Sequence, residues 1–157
     1  MRKKILLIVV ITVIFDQLTK YLIIHNLNLN DMITIIPQGL YLTHVNNYGA
    51  AWGLFSDHLF FLIIFGLLAL IIIYQSIINL PVISKVNLIS YGLLAGGIIG
   101  NLIDRFRFGY VVDFINMYII GYSFPVFNIS DMAIVFGVII IIYDILKKEK
   151  TNESNNR

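Results

Sequence analysis

The 157 residues predict an all-α membrane protein with four transmembrane helices, a small β-rich cradle outside the bilayer and an interfacial segment. Two observations carry that reading. The first is bulk composition: 59% of the residues are apolar and only 13% are charged, with a mean hydropathy of +0.86. A soluble domain carries roughly 25% charged residues, so a chain with about half that share must have an apolar exterior, and its solvent is lipid. The second is the presence of four apolar stretches of about 20 residues, the length a helix needs to cross a hydrocarbon core of about 30 Å. They run over residues 5–24, 59–78, 86–103 and 128–146, and Asn79, Leu80 and Pro81 stop the second.

The first stretch, preceded by Arg2, Lys3 and Lys4, has the charge and apolar pattern of a secretory leader. No small-residue cleavage site follows it. Asp16-Gln17-Leu18-Thr19-Lys20 stands there instead, so the span is expected to be retained. Orientation follows from the distribution of basic residues. With both termini in the cytoplasm, eight of the 11 Lys and Arg residues (Arg2, Lys3, Lys4, Lys85, Lys147, Lys148, Lys150, Arg157) lie inside and three (Lys20, Arg105, Arg107) outside. Residues 147–157 read as a polar, disordered cytoplasmic tail.

Two segments are expected outside. Residues 25–58 contain two β-branched and aromatic runs, 31–37 and 39–45, around Pro37 and Gly39, which read as short strands. Residues 106–127 place an aromatic every few positions and read as an interfacial segment at headgroup depth. Asn46-Asn47-Tyr48-Gly49-Ala50-Ala51-Trp52-Gly53 reads as a polar turn with an indole anchor, its small residues also leaving room for a ligand near the backbone. No internal repeat or second domain is visible, and 1–157 reads as one membrane unit.

Several function classes drop out. Cysteine is absent, which removes disulfides, thiolate metal sites and a cysteine nucleophile. The three histidines, His25, His44 and His58, are 19 and 14 residues apart and offer no metal-ligand spacing. The net charge of +2 leaves no basic face for nucleic acid.

The informative residues are the charged ones at membrane depth, each costing about 2.5–3.5 kcal/mol at the bilayer centre on insertion scales. Asp16 and Lys20 are one helical turn apart, either as a plain intrahelical pair or as electrostatic support for a site. On the first reading, loss of Asp16 leaves Lys20 unpaired. Gly96 and Gly100 form a small-xxx-small pattern suited to close helix packing. Asn101 and Arg105 share a helical face that Asp104 does not, and each has a plain role open to it, a packing hydrogen bond for the amide and snorkelling for the guanidinium. Asp113 sits in an apolar run, Val111-Val112-Asp113-Phe114. Asp131 opens the fourth span, where it is either a helix-terminus acid with Asn128 as the cap or the second member of a carboxylate pair with Asp113. Two acids at one depth cannot both ionise on meeting, and a pair sharing one proton can activate water. The alternative class is a proton-coupled transporter or a membrane scaffold. A transporter is expected to show inverted repeats and helices broken near the midplane, whereas here the acids cluster at one end.

Five blocks carry a resemblance to lipoprotein signal peptidase, the signal peptidase II family. They are 16–20 (Asp-Gln-Leu-Thr-Lys), 47–52 (Asn-Tyr-Gly-Ala-Ala-Trp), 96–105 (Gly-Gly-Ile-Ile-Gly-Asn-Leu-Ile-Asp-Arg), 111–114 (Val-Val-Asp-Phe) and 127–131 (Phe-Asn-Ile-Ser-Asp), in the family's order. The last departs from the usual pattern, with Ser130 in place of Ala, and this expects a hydroxyl beside the acid pair. The resemblance implies that Asp113 and Asp131 are the catalytic aspartates. It implies that Asp16, Lys20, Asn47, Gly49, Asn101, Asp104, Arg105 and Asn128 shape or support the site. It implies a prolipoprotein substrate whose lipobox cysteine already carries diacylglyceryl, with cleavage just before that cysteine. It further implies a site near the outer leaflet of the bacterial cytoplasmic membrane, contact with membrane lipid, a monomer, and neither metal nor organic cofactor.

Overall fold

The computed structural model describes residues 2–50, 54–56, 58–80, 82–119 and 121–155. Trp52, its neighbours Ala51 and Gly53, and Pro81 lie outside the described residues, so the indole anchor and the proline stop are not among the observations. The chain runs α1 (Arg2–Asn26), β1 (Met32–Ile36), β2 (Leu40–Asn47), α2 (Leu59–Asn79), α3 (Lys85–Phe108), β3 (Val111–Ile119), β4 (Tyr122–Ser123) and α4 (Ile129–Asn155). All four helices are long and apolar enough to cross a membrane.

The helices surround α3. Over half of its apolar window is buried (56%), against 6% for α2, which packs chiefly on α3. Glycine makes this possible. A Cβ on Gly96 would stand 2.7 Å from Cβ of Thr12 and 3.2 Å from the Val9 carbonyl oxygen on α1, and one on Gly100 would collide with Oγ of Ser130 on α4. Close backbone approach of this kind drives helix association where water cannot.

The strands form one antiparallel sheet in the order β1-β2-β3-β4. β2 pairs with β3 through Val45↔Asp113 and Asn47↔Val111, past a bulge between Leu42 and Val45. A bridge from Ile115 to Phe127 then returns the chain to the start of α4. The sheet follows the C-terminal ends of α1 and α3 and precedes the N-terminal ends of α2 and α4, so it caps one end of the bundle.

Three expectations need correction. Residues 106–127 are more than an interfacial aromatic segment: they include β3, the strand that carries Asp113. Val111, Val112, Asp113 and Phe114 are all buried, so β3 lacks the in-and-out alternation that marks a half-exposed strand. The third helix runs on past 103 to Phe108, because Asp104 and Arg105 find partners inside the protein, and Gly109 in the left-handed region (φ 80°) ends it by donating to the Arg105 carbonyl. The segment after 146 continues α4 to Asn155. Lys and Glu are good helix formers, and Asp144 pairs with Lys148 one turn on.

The packing at Gly96 predicts that Gly96→Ala will lower folding stability by about 1–3 kcal/mol, the usual cost of overpacking. Gly39→Ala, whose Cβ would meet only Ile36 at 3.5 Å, is expected to stay within about 0.5 kcal/mol. Thermal unfolding of the two variants in the same detergent checks the contrast.

Candidate active site

The site is built outward from Lys20. Its side chain is 2% exposed and sits among three acceptors: Asp16 Oδ2 at 2.9 Å, Asp104 Oδ2 at 2.8 Å and Asn101 Oδ1 at 3.0 Å. An ammonium has three donors, and all three are used. The pair with Asp16 follows from helical spacing, while that with Asp104 joins α1 to α3. Asp16 also accepts from the Ser130 N–H at 2.8 Å, fixing the first turn of α4. Asp104 accepts from the Val112 N–H at 3.1 Å, fixing the start of β3 one residue before Asp113. Gln17 spans the same layer, donating to Asp104 Oδ1 at 2.8 Å and Asp16 Oδ2 at 3.2 Å. Asp16 is therefore not the sole partner of Lys20, and its removal leaves the ammonium paired with Asp104. The Ser130 hydroxyl does not face the acid pair. It is buried against Gly100 with no hydrogen-bond partner among the described residues, and the residue acts through its backbone.

Above this layer stand three asparagines. Because Asn101 Oδ1 accepts from Lys20, its Nδ2 is left to donate to Asp131 Oδ1, at 2.8 Å. Asn128 lies between the acids. Its Nδ2 donates to Asp113 Oδ1 at 2.6 Å, its backbone N–H donates to Asp131 Oδ2 at 3.2 Å, and its Oδ1 accepts from the Asp131 N–H at 3.0 Å. The last two bonds form a reciprocal cap on α4, so Asp131 is a helix-terminus acid and a site residue at once. Asn47 completes the set, donating to Asp113 Oδ2 at 2.8 Å while its Oδ1 accepts from the Gly49 N–H at 2.9 Å. Arg105 Nη2 donates to the Gly49 carbonyl at 3.0 Å. Among the described residues no carboxylate lies within 4 Å of the guanidinium.

Asp113 and Asp131 line one cavity of about 320 Å³ together with Asn47, Asn101 and Arg105, and Phe124, Phe127 and Val135 are part of its apolar wall. Burial pushes the Asp113 carboxyl up, the neighbouring Asp131 charge pushes it further, and hydrogen bonds from Asn47 and Asn128 with the charge of Lys20 pull it back, to about 7. An acid so placed can give or take a proton near neutral pH.

The ten site positions implied by the resemblance thus meet in one assembly: Asp113, Asp131, Asn47, Asn101 and Arg105 at the cavity, Asn128 between the acids, Gly49 under Arg105, and Asp16, Lys20 and Asp104 behind. Gln17 was missed as a member. It stands next to Asp16 in sequence, about 100° away around the helix, and only the position of α3 shows that it reaches the same two carboxylates as Lys20.

The fold and site together define a class: a multi-span membrane protein with two buried, amide-held carboxylates at one end of its bundle. The comparisons narrow it. A family model for signal peptidase (SPase) II matches residues 8–147. Lipoprotein signal peptidases of Staphylococcus aureus, from strains bovine RF122 / ET3-1 and JH9, are 42% identical over 142 residues, covering 90% of this chain and 87% of theirs. Two solved bacterial membrane enzymes, both obtained by the in meso method, superpose closely. The one at 2.3 Å resolution has a TM-score of 0.88 with 40% identity, covering 94% of this chain and 90% of that one, and the one at 1.9 Å has 0.83 with 41%, covering 91% and 92%. The chain belongs to the signal peptidase II family, as a bacterial multi-pass membrane protein.

Two predictions follow from the geometry. Lys20→Met leaves two buried acids facing each other without their cation and is expected to cost about 3–5 kcal/mol. Adding Asp16→Asn and Asp104→Asn to that variant should restore part of the loss in a thermal or denaturant melt. The second concerns pH. The folded value of Asp113, about 7, lies above the roughly 4 of an unfolded aspartate, so the folded state binds more protons between the two. The contribution of Asp113 to stability is intact below about pH 4 and is lost as pH rises through about 7. Asp113→Asn, uncharged throughout, is therefore expected to melt higher than the parent at pH 8, with the gap closing toward pH 4.

Proposed function

We propose that this protein is an aspartic endopeptidase that removes the signal peptide from prolipoproteins whose lipobox cysteine carries diacylglyceryl, cutting just before that cysteine. Family membership supports the substrate class. One observation carries the catalytic type: the side chain and backbone of Asn128 hold Asp113 and Asp131 on a single cavity.

The chemistry follows from the pair's charge. With one proton between them, the ionised carboxylate takes a proton from water as its oxygen attacks the scissile carbonyl carbon. The protonated partner donates to the carbonyl oxygen. When the tetrahedral intermediate collapses, the C–N bond breaks and a carboxyl protonates the leaving nitrogen. The products are a signal peptide with a new C-terminal carboxylate and a lipoprotein with a free cysteine amine. The proton belongs to the pair, not to one named member. Asn47, Asn101 and Asn128 fix the carboxylates in place before substrate arrives, so little reorganisation is needed during reaction. The lipid on the cysteine holds the scissile bond at the depth of the acids, which makes positioning a large share of the rate.

In this reading both termini are cytoplasmic, the site faces the outer leaflet, and the chain works as a single unit and a monomer. The bias of eight basic residues out of 11 supports the orientation. A reporter fused after Arg157 is expected to read cytoplasmic and one inserted at Asp57 external; the reverse pattern overturns the orientation.

The decisive test is turnover of a diacylglyceryl prolipopeptide by purified protein. Asp113→Asn and Asp131→Asn are each expected to lower kcat by about 10²–10⁴-fold or more, and the double variant to be no worse than either single, since the two act as one unit. In the parent, kcat/KM should fall as pH rises past about 7 and the shared proton leaves. If Asp131 were a cap and nothing else, Asp131→Asn would be nearly silent, because Asn caps as well as Asp. Full turnover by either single variant excludes the mechanism.

A further inference from the structure

Beside the acid pair lies a second cavity of about 330 Å³ that no step above uses. It shares Phe124, Phe127, Asp131 and Val135 with the first and adds Met117, Met132 and Phe136. The two adjoin as neighbouring lobes and share as wall the edge-to-face pair Phe124 and Phe127, whose ring centroids are 5.9 Å apart. They differ in chemistry. The first lobe presents three polar side chains besides the acids, Asn47, Asn101 and Arg105, whereas the second, apart from the shared Asp131, is walled by Phe, Met and Val.

We propose that the second lobe is the seat of one acyl chain of the substrate's diacylglyceryl group; this rests on the peptidase reading above. A peptide brings N–H and C=O groups that must be satisfied wherever water is excluded. The first lobe can satisfy them and the second cannot, so the second takes a ligand with no hydrogen-bonding groups. A hydrocarbon chain is such a ligand. Its attachment point is also correct: the thioether sits on the side chain of the residue whose backbone nitrogen leaves, within a few bonds of the scissile carbonyl, and Asp131 borders both lobes. Val135 and Phe136 are 55% and 52% exposed on the lipid-facing side of α4, which leaves the lobe open to a chain arriving sideways from the leaflet. The two methionines suit a flexible guest, since their unbranched side chains adapt to its shape. The apolar groove between α1 and α2, lined by Ile5, Val9, Leu70 and Ile73, contains neither acid, and a chain there could not align the thioether with the pair.

The lobe selects by fit, not by transfer out of water, because the surrounding lipid is as apolar as its walls. Its effect should appear as alignment of the scissile bond, hence in kcat/KM. The experiment compares two lipopeptides of identical sequence in detergent, one with a dipalmitoyl and one with a dibutanoyl glyceryl cysteine. Unmodified protein is expected to prefer the long-chain substrate. Met117→Trp, which fills the lobe from β3, should lower the long-to-short ratio of kcat/KM by at least 10-fold. Phe136→Ala, which removes wall that the long chain packs against, should lower the same ratio and serves if the tryptophan variant fails to fold. A ratio that stays within twofold in the folded variants overturns the acyl assignment and leaves the peptidase reading standing, as does an equal loss on both substrates. No cleavage of either lipopeptide by unmodified protein overturns the peptidase reading itself.

Discussion

The structure depends on one buried ammonium. Lys20 is a full charge inside a helix bundle, a position that costs several kcal/mol unless the charge is paired and its donors used. It is stabilised by two acids that are themselves buried, at 0% and 1% exposure, and those acids can be buried only because Lys20 is there. Each acid then uses its remaining capacity on a backbone N–H of a different element, Ser130 on α4 and Val112 on β3. The elements that deliver Asp131 and Asp113 are thereby tied to a common centre on α1. A hydrophobic core would hold the helices together as firmly, but it would not set their rotation and height to within a hydrogen bond, and an acid pair needs that accuracy.

The two carboxylate layers serve opposite ends. The Lys20 layer is charge-balanced apart from one excess acid, fully hydrogen-bonded and sealed. The Asp113 layer has only neutral amides for close partners, and Arg105, which lines the same cavity, is turned to the carbonyl of Gly49. Amide donors orient a carboxylate without cancelling its charge, so Asp113 keeps the raised proton affinity that ion pairing would have removed. The protein carries that cost in folding stability at neutral pH, a common bargain where function needs an unfavourable arrangement.

Much of this was legible in the sequence because membrane depth makes polar residues conspicuous. Asp113 in an otherwise apolar run, and Asp16 one turn from Lys20, stand out against lipid-compatible surroundings. The strands β1 and β2 were also visible from β-branched runs about Pro37 and Gly39, though not their pairing. What could not be read was connection. That Asp104 is the second partner of Lys20 depends on the rotation of α3 against α1, which residue spacing within one helix cannot reveal. β3 escaped notice because a strand buried on both faces has no period to detect. The cap and the place beside Asp113 were posed as alternatives for Asp131, and the residue both caps α4 and lines one cavity with Asp113, since Asn128 reaches in two directions. The hydroxyl of Ser130 was placed from its sequence neighbour Asp131, but successive residues on a helix point about 100° apart, and its side chain went to Gly100.

The site draws on α1, β2, α3, β3 and the first turn of α4, and the members that join its two acids, Asn128 and Asp131, come last in the chain. A nascent polypeptide therefore holds Asp16, Lys20, Asn101, Asp104 and Asp113 well before the acid pair is complete. On the proposed mechanism, competence arrives only when residues 128–131 have been synthesised and α4 has inserted against α3. On that mechanism incomplete or half-inserted chains are inert as a matter of topology, because they lack the residues that join the two acids.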